Sequence, residues 1–378
     1  MAQPRDFGFG SDEKLVRDQA RKLLRDEVPV DQLRTLVAGD HRVAYESDVP
    51  PVAWNEALWG EMVKLGWPAL LVPEAAGGLG MKMVAVAAVA EEIGRAAVPS
   101  PLPATLCATA VLRAAGSSAH DALGRIAAGA AATLAVAGRN GTWESADVPV
   151  ERAADGALRG EAWFVQDARK ASLLVVASRG QGGVQLHVVA ADAPGVTVLP
   201  DRIVDLTRDQ ARVRFDGARG ELVAADGAAA LDAALPAILV LLAADACGAA
   251  EWQLQTTADY ARVRTQFDHP LGFFQAVKHP IVNMMVGVDR ARSLLYAAAC
   301  AIDEEPGEAL RLARMAKAAA SDAAAFCSDR SVQLHGGIGF TWECDVHLWF
   351  KRQRHTQFLW GDGLAQRARL AGMLGAEA

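Results

Sequence analysis

Three groups of residues have types and spacing suited to chemistry. Arg264 carries a planar, permanently charged guanidinium that suits a bidentate contact with a pyrophosphate. Phe267, just downstream, offers a ring able to stack on a flat heterocycle, and Gln275 can both donate to and accept from fixed heterocycle edges. Gly336 and Gly337 lack side chains, so their backbone N–H groups can approach a ligand closely, with Gln333 flanking them. The third group is two carboxylates. Asp245 sits among Ala and Leu in "LLAADACGAAE", and Asp362 sits in a Gly-Asp-Gly turn. A carboxylate removes a proton well when its pKa suits the carbon acid and its pocket is dry. Each residue also has a plain structural reading: a solvated arginine, a core phenylalanine, a glycine turn, and ordinary Asp turn chemistry at Asp362. An acid on an apolar helix face has a raised pKa unless it is paired, so pairing of Asp245 with a buried arginine fits its setting as well as catalysis does.

The elements that must position these residues fall into three stretches. Residues 1–128 read as helical: Ser11 caps a first helix, an apolar-periodic segment spans Trp54 to Leu65, and a further helix covers Met83 to Arg95 after the turn-rich "GWPALLVPEAAGGLG". Residues 129–225 carry short β-rich runs such as "ASLLVVASR", "GVQLHVVAAD" and "GVTVLP", spaced by Gly, Asp and Pro, which predicts a small antiparallel sheet or barrel. Residues 226–378 are helical again, the longest pieces being Ala229–Arg264, Phe274–Asp303, Gly307–Leu334 and Gly363–Leu374, with apolar faces wide enough for a four-helix bundle. The expected fold is mainly α with a β middle domain. No strand-linked GxGxxG is present, so a Rossmann dinucleotide site is disfavoured.

Bulk properties narrow the function. The 378 residues, 52% hydrophobic and 22% charged, describe a folded chain of two or three subdomains. The net charge of −7, with Lys and Arg scattered among acids, leaves no basic stripe for nucleic acid, although a local arginine cluster would suffice for an anionic ligand. Five cysteines without CxxC spacing predict reduced thiols and no metal site. The apolar stretch Ala233–Ala250 contains Pro236 and Asp245 and reads as a buried helix, so a cytoplasmic protein without a membrane span is expected.

Four blocks resemble the acyl-CoA dehydrogenase superfamily, in the family's order and over nearly the whole chain. "YARVRTQFDHPLGFFQAVKH" (Tyr260 to His279) resembles the signature Arg-x-Gln-Phe-Gly followed by Phe-Gln, and "QLHGGIGFTWECDVHLWFKR" (Gln333 to Arg352) resembles Gln-x-x-Gly-Gly-x-Gly. "VPEAAGGLG" (Val72 to Gly80) and "AEEIGRAAVPSP" (Ala90 to Pro101) are similar to the N-terminal blocks. The resemblance implies FAD, held by Arg264, Thr265, Gln266, Phe267, Phe274, Gln275, Gln333, His335, Gly336 and Gly337, partly across a subunit boundary. It implies an acyl-CoA thioester as substrate, with the α-proton taken by a carboxylate and the β-hydride by flavin N5. It also implies electron-transfer flavoprotein as acceptor and a homodimer, a homotetramer or an α2β2 heterotetramer with a paralogous subunit.

The chain departs from that pattern in several places. Trp360 stands where the commonest family base, a Glu, is placed, and Ile238 where a minority of the family carries it; neither side chain abstracts a proton. Asp245 and Asp362 are then the candidate bases. "VAGRNGTWESAD" (Val136 to Asp147) replaces the usual middle-domain loop, with Thr142 still able to donate, Trp163 a candidate neighbour of the flavin ring, and Asp268 where the family has Gly. These departures resemble a branch that handles bulky or unusual CoA esters, often as α2β2 heterotetramers. Besides a dehydrogenase subunit, two readings stay open: a non-catalytic partner that completes a FAD site in another chain, and a flavoenzyme of altered chemistry that oxidises a nitroalkane-like carbon acid.

Overall fold

The computed structural model describes residues 7–39, 45–49 and 51–376, the side chain of residue 376 excepted. The chain divides into two compact units. One comprises Met1–Thr35, Met83–Val98 and Leu239–Ala378; the other comprises Leu36–Lys82 and Pro99–Ile238.

The first unit is helical. Helix α1 (Ser11–Glu27) is capped one residue earlier than expected, by Gly10, whose N–H donates to the Glu13 carboxylate at 2.9 Å, while the Ser11 hydroxyl turns to Asp12. A second helix, α2, covers Val30–Ala38. Helix α4 (Met83–Arg95) has the expected limits and is buried along nearly its whole length. The C-terminal helices are α7 (Gly227–Val263), which belongs to this unit from Leu239 onward, α8 (Gln275–Glu304), α9 (Pro306–His335), α10 (Val346–Phe358) and α11 (Gly363–Ala376). Ala250, Leu254, Met284, Val288 and Cys327 from α7, α8 and α9 form a common core. Helices α4 and α7 touch backbone to backbone. A Cβ added at Gly94 would lie 2.0 Å from the carbonyl of Asp245, and one at Gly248 would lie 1.8 Å from that of Glu91. Glycine is required at both positions because the helices approach more closely than any side chain allows.

The second unit contains α3 (Glu56–Lys64), α5 (Leu102–Ala115), α6 (His120–Ala127) and one sheet. Asn55, not Trp54, begins α3, its side chain accepting from the Leu58 N–H at 3.0 Å. The strands are β1 (Ala132–Ala135), β2 (Val150–Arg152), β3 (Leu158–Gln166), β4 (Leu173–Gly180), β5 (Gly183–Ala190), β6 (Val196–Pro200), β7 (Gln210–Ala218) and β8 (Glu221–Ala224). They run in the order β6-β7-β3-β2-β4-β5-β8, with β1 beside β4. The sheet is mixed where an antiparallel one was expected: β1 and β2 each pair parallel to β4. Leu158, Val165, Leu174, Val176, Val213 and Phe215 form its core.

Helix α7 is long and apolar enough to cross a bilayer by length and composition, yet 61% of its most apolar window is buried in the protein, as befits a core helix. Cys107, Cys247, Cys300 and Cys327 are buried free thiols and Cys344 is half-buried. Burial raises the thiols of Cys107 and Cys327 to about 12. Among the described residues no cluster could hold a metal ion.

Candidate active site

The ligand-gripping residues expected from the sequence gather at one end of the helical unit. Helix α7 ends at Val263, and the chain turns through a two-residue hairpin in which β9 (Thr265–Gln266) pairs with β10 (His269–Pro270). Phe267 and Asp268 occupy its tip with φ of 52° and 60°. Positive φ at both central residues is the turn geometry that two-residue hairpins favour, and it normally selects Asn or Gly. The tip leaves Phe267 85% exposed. Arg264, Thr265 and Gln266 are exposed with it. Phe274 packs edge-on to Phe267 at 6.1 Å and precedes α8, whose first residue is the exposed Gln275.

The second block meets the first through aromatic contact. Tyr260 of α7 stacks on His335 at the end of α9, with ring centroids 4.3 Å apart, and one turn earlier the Thr257 hydroxyl donates to Ser331 at 2.9 Å. The Arg264 N–H is itself bonded to the Tyr260 carbonyl. His335 Nδ1 lies 2.7 Å from the Ser331 carbonyl, and burial lowers its pKa. Gly336 turns the chain at φ 69°, and a Cβ at Gly336 or Gly337 would meet no atom within 4 Å. The space above both peptides is therefore open, and Gln333 is exposed beside them. A guanidinium, three amides, an exposed ring and open glycine peptides form a donor set that fits an anionic diphosphate joined to flat rings.

The two carboxylates are placed differently. Asp245 is buried in mid-α7, and both its oxygens are engaged: Oδ1 accepts from Arg352 Nη2 at 2.5 Å and Oδ2 from the Thr356 hydroxyl at 3.0 Å. The side chains of Arg352 and Asp245 are 0% and 3% exposed. Asp362 is half-buried and caps α11, accepting from the Ala365 N–H at 2.9 Å.

Two features of this region escaped the sequence reading. Helix α10 begins inside the Gln333–Arg352 block, which was read for Gln333, His335 and its glycines and not as a helix, and it carries Arg352. Lys317 of α9 is 1% exposed and donates to the carbonyls of Gln357 at 2.9 Å and Gly361 at 3.1 Å, and to the Ser321 hydroxyl at 3.0 Å. Burial drives its pKa down to about 7, against the opposing pull of Asp362. Lys317 and Gln366, whose amide donates to the Trp360 carbonyl at 2.5 Å, together hold the turn in which Trp360 adopts φ 57°. A lysine in the alanine run "ARMAKAAASD" was the available signal.

In the sheet unit, the Thr142 hydroxyl donates to Asn140, and the guanidiniums of Arg139 and Arg212 lie 5.5 and 4.8 Å from the centre of the Trp163 ring.

Residues 10–130 match the acyl-CoA dehydrogenase N-terminal domain, and residues 226–374 match the acyl-CoA dehydrogenase C-terminal domain. Acyl-CoA dehydrogenase IpdE2 of Mycobacterium tuberculosis is 33% identical over 335 residues, covering 88% of this chain and 91% of the relative. The chain belongs to the acyl-CoA dehydrogenase family. Two solved structures extend the likeness over the fold. The ChsE4–ChsE5 complex of Mycobacterium tuberculosis is 25% identical with a TM-score of 0.84, covering 98% of this chain and 99% of that one. The steroid ACAD Tcur3481–Tcur3483 is 26% identical with a TM-score of 0.84, covering 98% of this chain and 100% of that one. In this acyl-CoA dehydrogenase family member, the exposed hairpin, the Gly336–Gly337 turn and the turn around Trp360 all lie within the segment matched to the C-terminal domain.

Proposed function

We propose that this chain is an FAD-dependent acyl-CoA dehydrogenase, or one subunit of it, acting in the cytoplasm on a bulky or unusual acyl-CoA thioester. The observation that carries this reading is the Tyr260–His335 stack, because it joins the Arg264–Gln275 segment to the Gln333–Gly337 turn at one end of the bundle. Arg264 would hold the diphosphate of FAD, Thr265, Gln266 and Gln275 its polar edges, Phe267 and Phe274 its rings, and Gln333, His335 and the peptides of Gly336 and Gly337 the remaining groups. FAD held there would supply the hydride acceptor, with electron-transfer flavoprotein as the proposed electron acceptor. The domains proposed are helical over 1–128, β over 129–225 and helical over 226–378; the segments matched, 10–130 and 226–374, favour the first and last boundaries.

If the base lies in this chain, Asp245 and Asp362 are its candidates. The engagement of both Asp245 oxygens favours a second arrangement, in which Asp245 is a structural ion pair and a paralogous subunit of an α2β2 heterotetramer supplies the base. That ChsE4–ChsE5 is a complex of two chains supports such an assembly; a homodimer or homotetramer is the alternative.

The absorption spectrum of the purified protein, alone and co-expressed with its genomic neighbours, tests the proposal. Flavin bands bleached by an acyl-CoA panel in the chain alone support a self-sufficient dehydrogenase. Bands and bleaching that appear only with a partner support the heterotetramer. Absence of flavin in both preparations refutes the assignment.

A further inference from the structure

We propose that the helical unit carries a second ligand site, separate from the residues assigned to FAD, for a flat apolar molecule bearing one carboxylate. A cavity of about 500 Å³ opens between the end of α1, the end of α4 and the helices α7 and α10. That volume lies within the range of small-molecule sites, roughly 300–1,000 Å³. The cavity shares no residue with the hairpin or the glycine turn, so the inference stands whatever becomes of the flavin assignment.

The lining gives the chemistry. Trp252 of α7 and Trp349 of α10 both line the cavity, stacked with centroids 3.4 Å apart and planes 5° from parallel. The Trp349 indole N–H donates to the Arg95 carbonyl at 3.0 Å, which fixes the pair against α4. Leu24, Val28 and Pro29 also line it. A lining of indole rings and aliphatic side chains selects a flat apolar body.

The charges at the cavity select its polar group. Three guanidiniums, Arg21, Arg25 and Arg95, line it against one carboxylate, Glu92. Arg95 is also paired with Glu251, just outside the lining, so Arg25 is the guanidinium least committed to a buried partner. Glu92 is already saturated: Arg21 forks onto it with contacts of 2.8 and 3.1 Å, and Arg95 Nε lies 3.2 Å away. Among the described residues Arg25 pairs with its sequence neighbour Asp26, at 3.0 Å, with side-chain exposures of 72% and 47%. Such an exposed pair holds its members weakly, so Arg25 can turn to a ligand anion. In another cavity of this unit, about 340 Å³, the lining residues Glu91, Glu251, Arg292 and Tyr296 are bonded to one another.

The experiment is calorimetric titration of the purified protein, as isolated with whatever flavin it holds, using naphthalene-2-carboxylate and its neutral analogue 2-naphthamide. The expected result is saturable binding of one carboxylate per chain, with a rise in melting temperature. Arg25→Glu, a surface change that leaves the fold intact, weakens the carboxylate by about tenfold or more, the size of one charge-assisted contact, and leaves the amide unchanged. Ala96→Trp, which fills the cavity, removes binding of both. The proposal is overturned if the carboxylate does not saturate, if carboxylate and amide bind equally well, or if neither substitution alters carboxylate affinity.

Discussion

Replacing Asp245 by Asn separates the two roles open to this carboxylate. The Arg352 side chain is fully buried and its guanidinium is 2.5 Å from Asp245 Oδ1. The substitution removes the carboxylate charge that faces this buried guanidinium. Breaking a buried pair by taking one partner typically costs about 3–5 kcal/mol, whereas replacing both partners by apolar residues of similar volume is often neutral or stabilising. A third of a typical domain's stability of roughly 5–15 kcal/mol is therefore at stake in the single change. The assay is denaturant unfolding of wild type, Asp245→Asn, Arg352→Met and the pair Asp245→Leu with Arg352→Met. Each single variant should lower the unfolding midpoint sharply and the pair should recover it. Flavin reduction by acyl-CoA, measured on the recovered pair with any partner subunit present, should persist. The structural reading is refuted if Asp245→Asn keeps stability to within about 0.5 kcal/mol, the range of an inert surface change, while flavin reduction falls by orders of magnitude. That result would make Asp245 the base.

Lys317 should give the protein an alkaline stability gradient. Its folded pKa of about 7 lies below the ordinary 10.5, so the unfolded chain holds more protons between those values. The penalty for burying the ammonium is fully present below pH 7 and is relieved as pH rises toward 10.5, a total of about 5 kcal/mol at most; Lys317→Met should flatten that slope, and equal slopes in the two proteins would contradict the assignment. Gly248→Ala places a methyl group 1.8 Å from the Glu91 carbonyl and should destabilise by roughly 1–3 kcal/mol, read as a lowered unfolding midpoint. Arg264→Ala should raise the FAD dissociation constant by about ten- to a hundredfold, corresponding to roughly 1.5–3 kcal/mol for a charge-assisted phosphate contact; full flavin occupancy in the variant would remove Arg264 from the site.

Much of the fold was legible because period and punctuation agreed. Met83–Arg95 is an apolar-periodic run closed by Arg95, and its limits are those observed. The long β runs were legible for the same reason. The three-residue β2 and four-residue β8 were not, because segments that short carry no period and exist only through pairing with β3, β4 and β5. Helix α10 was missed because its buried face includes His347, Arg352, Gln353 and Thr356 beside Leu348 and Trp349, so no apolar stripe marks it. The hairpin and the glycine turn were legible as motifs. Their meeting through Tyr260 and His335 was not, because it depends on how α7 and α9 pack.

The polar residues that pattern reading could not place share one physical link. Thr356 donates its hydroxyl to Asp245, while its backbone carbonyl and that of Gln357 lie 3.4 and 2.9 Å from Lys317 Nζ. The Asp245–Arg352 pair and the Lys317 cradle are thus joined through the last turn of α10, directly before the strained Trp360. On the far side of α7, the glycine contact at Gly94 presses α4 against the Asp245 backbone. Buried charge is a poor source of net stability, but it penalises alternative arrangements steeply because each misplaced member is left uncompensated. A non-glycine residue at positive φ costs about 1–3 kcal/mol and persists only where its surroundings over-determine it. The turn at Trp360 meets that condition, with Lys317 bonded to the Gln357 and Gly361 carbonyls, Gln366 to that of Trp360, and Asp362 capping the helix that follows. Its geometry is therefore set by the bundle rather than by Trp360 itself, so a different side chain at position 360 would be presented from the same backbone.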